Sequence, residues 1–307
     1  MLGRSIKQEK TGWAAGLLAL FGFVTLVGLY LLWQDSQPSN LQPETFSGER
    51  AYEDVLTQMA FGPRTPGSPA HAAAVDWLVA ELGAAGWQTE VQETEWNGHA
   101  VRNVVAERGS GRPWILLGAH YDSRIYADQD PNPARHQEPV PGANDGASGV
   151  AVLLEFARVL PADYPGRVTI VLFDAEDSGS IPGWEWIMGS RAYAASLDEN
   201  PDSMILVDLV GDADLSLPYE GNSDEALRAE IWALAAELGY SEVFVPEVKY
   251  TILDDHIPFL ERGIPSVDII DLDYEYWHTV EDTADKVSQE SLQMVGDVLL
   301  AWLLGRR

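Results

Sequence analysis

The chain contains no cysteine. Disulfides, thiolate zinc sites and cysteine nucleophiles are therefore excluded, which leaves His, Asp and Glu as protein metal ligands. Basic residues are scarce, with 19 Lys and Arg against 48 Asp and Glu, a formal net charge of −29. So acidic a chain repels nucleic acid and, beyond any anchor, anionic lipid, and no nucleic-acid partner is expected. Internal repeats and low-complexity blocks are also missing. What remains is ordinary for a globular protein, 46% hydrophobic and 22% charged. The 307 residues allow one large domain, or two small ones, plus a tail. Eleven Trp is a high count, so some can line a site rather than fill a core.

Residues 11–33 (TGWAAGLLALFGFVTLVGLYLLW) carry no charge. A helix of about 20 apolar residues spans a bilayer, so this run reads as a transmembrane signal anchor. It is longer than a typical signal-peptide core, and no small-x-small cleavage site follows closely. Arg4, Lys7 and Lys10 precede it and Asp35 follows. The positive-inside rule then keeps residues 1–10 in the cytoplasm and exports the rest. The expectation is a single-pass membrane protein with its domain outside the cytoplasm, acting as a monomer. Residues 34–49 are polar and Pro-containing and read as a linker. Residues 50–307 are expected to form the folded domain.

Helices and strands alternate in that domain. The pattern predicts helices over 72–85, 147–160, 224–238 and 291–304, and strands over 87–96, 100–107, 114–118, 167–173, 203–209 and 265–270. The short apolar run WILLG and the largely apolar RVTIVLF mark buried strands, and their alternation with helices implies a mainly parallel sheet covered on both faces. Ligands bind outside the carboxyl ends of such strands. Those ends are rich in acid and imidazole: His120 and Asp122, then Asp174, Glu176 and Asp177, then Asp208, then Asp271 with His278 beyond it.

Carboxylates and imidazoles gathered without compensating cations raise one another's pKa, a cost that a divalent cation removes. With only N and O ligands, tetrahedral zinc with one open position is the leading candidate. Adjacent Glu176 and Asp177 suggest that one carboxylate binds metal while its neighbour moves protons. Asp145, inside PGANDGASG, precedes a helix near Ala147. Its small neighbours let backbone approach a metal closely, but a plain helix N-cap is an equal reading for Asp145 alone.

Eight stretches, in order, resemble the zinc aminopeptidase and glutaminyl cyclase superfamily: FGPRTPGS at 61–68, GAHYDS at 118–123, GANDGASGVAVLLEFAR at 142–158, VLFDAED at 171–177, GSRAYA at 189–194, DLVGDAD at 208–214, DDHIPFLERGIPSVDII at 254–270 and YWHTVEDT at 276–283. The resemblance covers residue 50 to the C-terminus. It implies a single-domain three-layer α/β/α fold with a mixed, mainly parallel central sheet. It implies Asp145, Asp177 and His278 as zinc ligands, with Glu176 as general acid/base. His120 and Asp208 match ligands of a second zinc in aminopeptidases. In animal glutaminyl cyclases, which bind one zinc, Asp208 and Asp255 form an acidic hydrogen-bond chain with Glu176. One departure stands out: the family's usual Glu-Glu pair is here Glu176-Asp177, one methylene shorter at the ligand.

Three features favour a cyclase over an aminopeptidase. An eleven-residue connection containing Trp, Ser178 to Met188, separates Asp177 from Gly189. The DDHIPFL segment is cyclase-like, and Trp277 directly precedes His278. A glutaminyl cyclase folds an N-terminal Gln side chain back onto its own amine in a small aromatic pocket, which Trp277, Trp184 and Trp186 are expected to wall. The substrates are then peptide or protein N-termini. Zinc aminopeptidase activity, with one or two ions, is the alternative, and a non-catalytic binding ectodomain is a third. His71, His99 and His136 are expected on the surface without a role. Arg64 is expected to order its loop.

Overall fold

Two buried, largely apolar strands set the architecture. In the computed structural model, which describes residues 45–306, β3 (Trp114–His120) and β4 (Arg167–Phe173) lie parallel at the centre of a six-stranded sheet ordered β1-β2-β4-β3-β5-β8. β5 (Ser203–Asp208) and β8 (Ser266–Ile270) extend the parallel half. β1 (Gln88–Trp96) and β2 (His99–Arg108) form an antiparallel hairpin, and β2 pairs antiparallel with β4. Asn97-Gly98, with φ of 49° and 83°, closes the hairpin, because such two-residue turns need positive φ. The sheet is thus mixed, as expected.

Alternation along the strands divides the core into two layers. Ile115, Leu117, Ala119, Ile170, Leu172, Ile205, Val207, Val267 and Ile269 point into one apolar cluster. That cluster includes residues of α1 (Gly48–Phe61), α2 (Pro69–Ala84), α3 (Ala147–Val159), α5 (Glu225–Glu237) and α7 (Gln289–Gly305). Leu116, Val171, Phe173, Met204 and Leu206 point the other way, against Tyr193 of α4 (Met188–Ser196) and Phe259 of α6 (Ile257–Glu261).

Several elements depart from the sequence pattern. α2 starts one turn before the expected residue 72, because Ser68 caps it by accepting from His71 N and Pro69 occupies the first turn. α1 was not expected, since its sequence is largely polar; it buries Ala51 and Val55 and is capped by Ser47. The domain accordingly begins at Thr45, with Phe46 buried, so residues 45–49 belong to it and not to a linker. β6 (Leu217–Glu220) and β7 (Phe244–Tyr250) form a small second sheet. Both contain Pro, which disguises a strand. α4 and α6 were likewise unexpected. Among the described residues no helix is long and apolar enough to cross a membrane. Segments 1–10 and 11–33, and residues 34–44, lie outside the described residues.

α3 packs across the sheet through Gly149, where an added Cβ would stand 2.3 Å from Val207 O and 3.1 Å from Ala119 Cβ. Backbone cannot yield as a flexible side chain can. Gly149→Ala should therefore destabilise the domain by about 1–3 kcal/mol, as overpacked cores do. Denaturant unfolding measures it, and a loss below a few tenths would contradict this close helix–sheet contact.

Candidate metal centre

The parallel strands end on one side of the sheet, and their last residues carry the chemistry. His120 ends β3 and Asp208 ends β5. Beyond β4 the chain passes through Ala175, at φ 52°, before Glu176 and Asp177. Leu209, after Asp208, and His278 also have positive φ, 49° and 55°. Non-glycine residues rarely adopt this conformation, and it persists only where surrounding contacts enforce it. Asp145 sits in the turn entering α3. It is not the helix cap: that position is Gly146, with no side-chain cap bond. Gly146 has φ 94°, and a Cβ there would lie 2.6 Å from Asp122 O, so only glycine lets the turn close over β3.

Two triads result, His120–Asp145–Asp208 and Asp145–Asp177–His278, each with ligand atoms within 4.8 Å of one another and all buried. Asp145 belongs to both. Its Oδ1 lies 3.2 Å from His120 Nε2 and its Oδ2 lies 3.7 Å from His278 Nε2, so the carboxylate faces each triad with a different oxygen. His120 Nε2 is also 3.2 Å from Asp208 Oδ1, and His278 Nε2 is 3.0 Å from Asp177 Oδ1.

Three acids that the sequence reading left without a role hold these groups. Asp122 accepts the backbone N–H of Glu176 and of Asp177, at 3.1 and 3.2 Å, and lies 3.5 Å from His120 Nδ1. Asp128 lies 3.6 Å from His278 Nδ1. Both imidazoles thus face a carboxylate on the nitrogen away from the triad, the placement of an orienting partner. Asp282 accepts from Asn144 N and Asp145 N and from the Tyr274 hydroxyl, at 2.8, 3.2 and 2.7 Å. Arg64 is fully buried and ties the same loop by donating to the carbonyls of Tyr121, Pro141 and Gly142, the ordering role expected of it.

Other residues at the strand ends do not join the cluster. Asp174 accepts from Arg102 N and pairs with His71 Nε2 at 2.7 Å. His71 is therefore a buried partner of Asp174 and Tyr121, not a surface residue. Asp271 turns away to accept from Ser216 N and Asp273 N. Asp255 is fully buried with both carboxylate oxygens unpartnered, whereas its neighbour Asp254 lines the cavity. The sequence reading singled out the first of this pair and missed the second.

Electrostatics make the cluster unstable as a bare set of charges. Burial raises the Glu176 carboxyl well above its ordinary range; His120 opposes this, while Asp254, Asp177 and Asp255 add to it. Burial, with Asp145 nearby, lifts Asp177 to about 6 against the opposing pull of His278. Burial would lower His278, but Asp177 and Asp128 override it and raise the imidazole to about 9. Asp145 Oδ2 and Asp177 Oδ2 are buried without any hydrogen-bond partner. Leaving such acceptors unpaired is costly, and a divalent cation between them and His278 Nε2 satisfies both. Two carboxylates and one imidazole with a position open to solvent suit zinc.

A cavity of about 290 Å³ opens over the cluster. Its polar wall is Asp145, Glu176, Asp177, Asp208, Asp254 and His278; its apolar wall includes Trp186, Trp277, Leu209, Ile252, Leu253 and Leu272. Trp277 stacks on the His278 ring at 3.6 Å between centroids, and Trp186 lies parallel to it at 6.1 Å. Trp184 is not part of this wall. It stacks on His99 at 3.8 Å, and His99 also bonds Gly183 O, so this Trp anchors the 178–188 connection to the β1–β2 turn. His136 bonds Asp130 O within its own loop.

The sequence model of peptidase family M28 matches residues 103–303, which contain both triads and every residue named as lining the cavity. The chain belongs to peptidase family M28. A solved structure of Porphyromonas gingivalis glutaminyl cyclase superposes with a TM-score of 0.81 at 35% identity, covering 86% of this chain and all (100%) of that one. A Zn-dependent exopeptidase from Parabacteroides distasonis gives 0.80 at 34%, with 86% and 100% covered. The glutaminyl-peptide cyclotransferase of Bos taurus is 24% identical over 288 residues, 78% of each chain. The family's zinc chemistry and the unpartnered oxygens of Asp145 and Asp177 agree.

Proposed function

We propose that this M28 member is a zinc-dependent glutaminyl-peptide cyclotransferase, converting the N-terminal glutamine of peptides and proteins to pyroglutamate with release of ammonia. The observation that carries the reading is the aromatic wall beside the metal triad: Trp186, brought in by the 178–188 connection, and Trp277, both parallel to the His278 ring. Cyclisation requires the glutamine side chain to curl until its α-amine meets its own γ-carbonyl, and a small cavity with flat apolar sides favours that compact conformer over extended ones.

Asp145, Asp177 and His278 would hold the zinc. When bound, it polarises the γ-carbonyl oxygen. The α-amine nitrogen forms a bond to the γ-carbon, the bond from that carbon to the side-chain amide nitrogen breaks, and ammonia leaves. A proton must pass from the first nitrogen to the second. Glu176 lines the cavity beside the triad, and burial raises its proton affinity, as suits a group that takes and returns a proton. The hydrogen-bonded chain expected of Asp208 and Asp255 with Glu176 is not formed, since both Asp255 oxygens are unpartnered and Asp208 faces His120. Asp254 and Asp255 act instead through their charge, which keeps Glu176 protonatable. Trp277 and Trp186 press the substrate side chain toward the metal.

One observation favours a second reading. The intact His120–Asp145–Asp208 triad offers a second metal position, as a zinc aminopeptidase uses when Glu176 serves as base toward water. Incubating the protein with a Gln-initiated peptide and with a leucine anilide separates the two. Ammonia release without anilide cleavage is expected, and the reverse result would establish the peptidase. Glu176→Gln should lower kcat about 10²–10⁴-fold, the span of general acid–base catalysis, with zinc content unchanged. Full retained activity would remove Glu176 from the mechanism.

We further infer that residues 11–33 anchor the protein, with residues 1–10 in the cytoplasm and the catalytic domain outside. The supports are an uncharged apolar run and the positive charges before it. Protease added to intact cells should digest the domain. Its protection overturns the orientation, and its release by alkaline washing overturns the anchor.

A further inference from the structure

The shortened ligand at 177 has an unusual neighbour. Arg124 is almost fully buried and lies four residues after His120. Its Nε and Nη2 donate to the two carboxylate oxygens of Asp128 at 2.9 and 2.6 Å, a bidentate fork. Its Nη1 donates to Asp177 Oδ1 at 3.1 Å and to Asp177 O at 3.3 Å. Nη2 also donates to Gly179 O at 3.2 Å. Every N–H that a guanidinium offers is engaged. The guanidinium carbon stands 5.0 Å from the centre of the Trp186 ring.

These contacts converge on separate parts of the centre. Asp177 is a zinc ligand on the proposed reading. Arg124 and the ligand imidazole of His278 both lie against its Oδ1, at 3.1 and 3.0 Å, while Oδ2 has no hydrogen-bond partner, so the arginine fixes which way the carboxylate faces. Asp128 faces His278 Nδ1 at 3.6 Å. Trp186 walls the cavity. The loop that carries Asp128 is itself closed on the arginine, because Val140 N donates to Arg124 O at 3.0 Å.

We propose that Arg124 is a positioning residue, locking the ligand Asp177, the His278-orienting carboxylate Asp128 and the wall residue Trp186 into one rigid unit. It fixes which way the short Asp177 carboxylate faces, and it holds the 178–188 connection by Gly179 and Trp186 so that the aromatic wall keeps its distance from the metal. The planar fork is essential. Lysine keeps the charge but has three donors at one point, so it cannot bridge Asp128 and Asp177 while stacking on an indole.

The proposal rests on zinc being held at Asp145, Asp177 and His278, and its primary test needs no turnover. Zinc affinity of the full chain is measured by competition with a chromophoric chelator. Arg124→Lys should weaken zinc by about 10- to 100-fold, the usual cost of losing an orienting partner. Asp128→Asn, nearly isosteric, should weaken it in the same direction and serves if the lysine variant fails to fold. Affinity within twofold of the parent in the folded variants overturns the proposal. So does a fall in thermal stability of the zinc-free protein alone, which marks a merely structural arginine. At zinc concentrations that refill the site, Arg124→Lys should raise KM for a Gln-initiated peptide, and an unchanged KM overturns the link to Trp186. A parent that binds zinc but releases no ammonia contradicts the cyclase reading and leaves the affinity result standing.

Discussion

The centre depends on crowded negative charge held out of water. Asp145, Glu176, Asp177, Asp208, Asp254 and Asp255 are all buried near one another, with His120, His278 and Arg124 as the immediate cations. Burial and mutual repulsion push Glu176, Asp254 and Asp255 above their usual range. Such an arrangement is expensive without a counter-ion, and natural domains keep it only where function requires it. The scaffold supplies the required stiffness. His120 and Asp208 end β3 and β5, Asp177 closely follows β4, and Asp145 and His278 stand on longer connections after β3 and β8. These loops are tied down by Asp122, Asp282 and Arg64 through backbone hydrogen bonds.

The division of labour among the acids follows from what each touches. Asp145 presents one oxygen to each triad, which makes it the pivot between a one-metal and a two-metal site. Glu176 reaches the cavity while its backbone N–H is held by Asp122, so it is positioned without being consumed as a ligand. Adjacent Asp177 takes the opposite role, with its side chain fixed between Arg124 and His278. Two adjacent residues thus meet different surroundings, Glu176 the cavity and Asp177 the imidazole and guanidinium.

Much of this was legible in the sequence because its signals are strong ones. RVTIVLF gives β4 to the residue, since a run of mostly apolar, β-branched residues finds its stable place in a covered strand. The acids and imidazoles after such runs identified the cluster, although strand ends alone also drew in Asp174 and Asp271, which bond backbone instead. Assigning Asp145, Asp177 and His278 as a set needed the family resemblance. The groups missed act through backbone or through another side chain. Asp122 stood out only as one more acid at a strand end, and Asp128, Asp282 and Arg124 carry no spacing signal that distinguishes them from surface charge; their roles appear only when the loops are folded together. Trp184 and Trp186 lie two residues apart in one loop, and only the stacking of His99 on the first decides which faces the cavity.

The most direct test of a metal centre at Asp145, Asp177 and His278 is diffraction from zinc-loaded crystals above and below the zinc absorption edge. An anomalous peak about 2.0–2.2 Å from His278 Nε2 and from one oxygen each of Asp145 and Asp177 is expected. A peak bounded by other residues, or none in crystals shown to contain zinc, would contradict it.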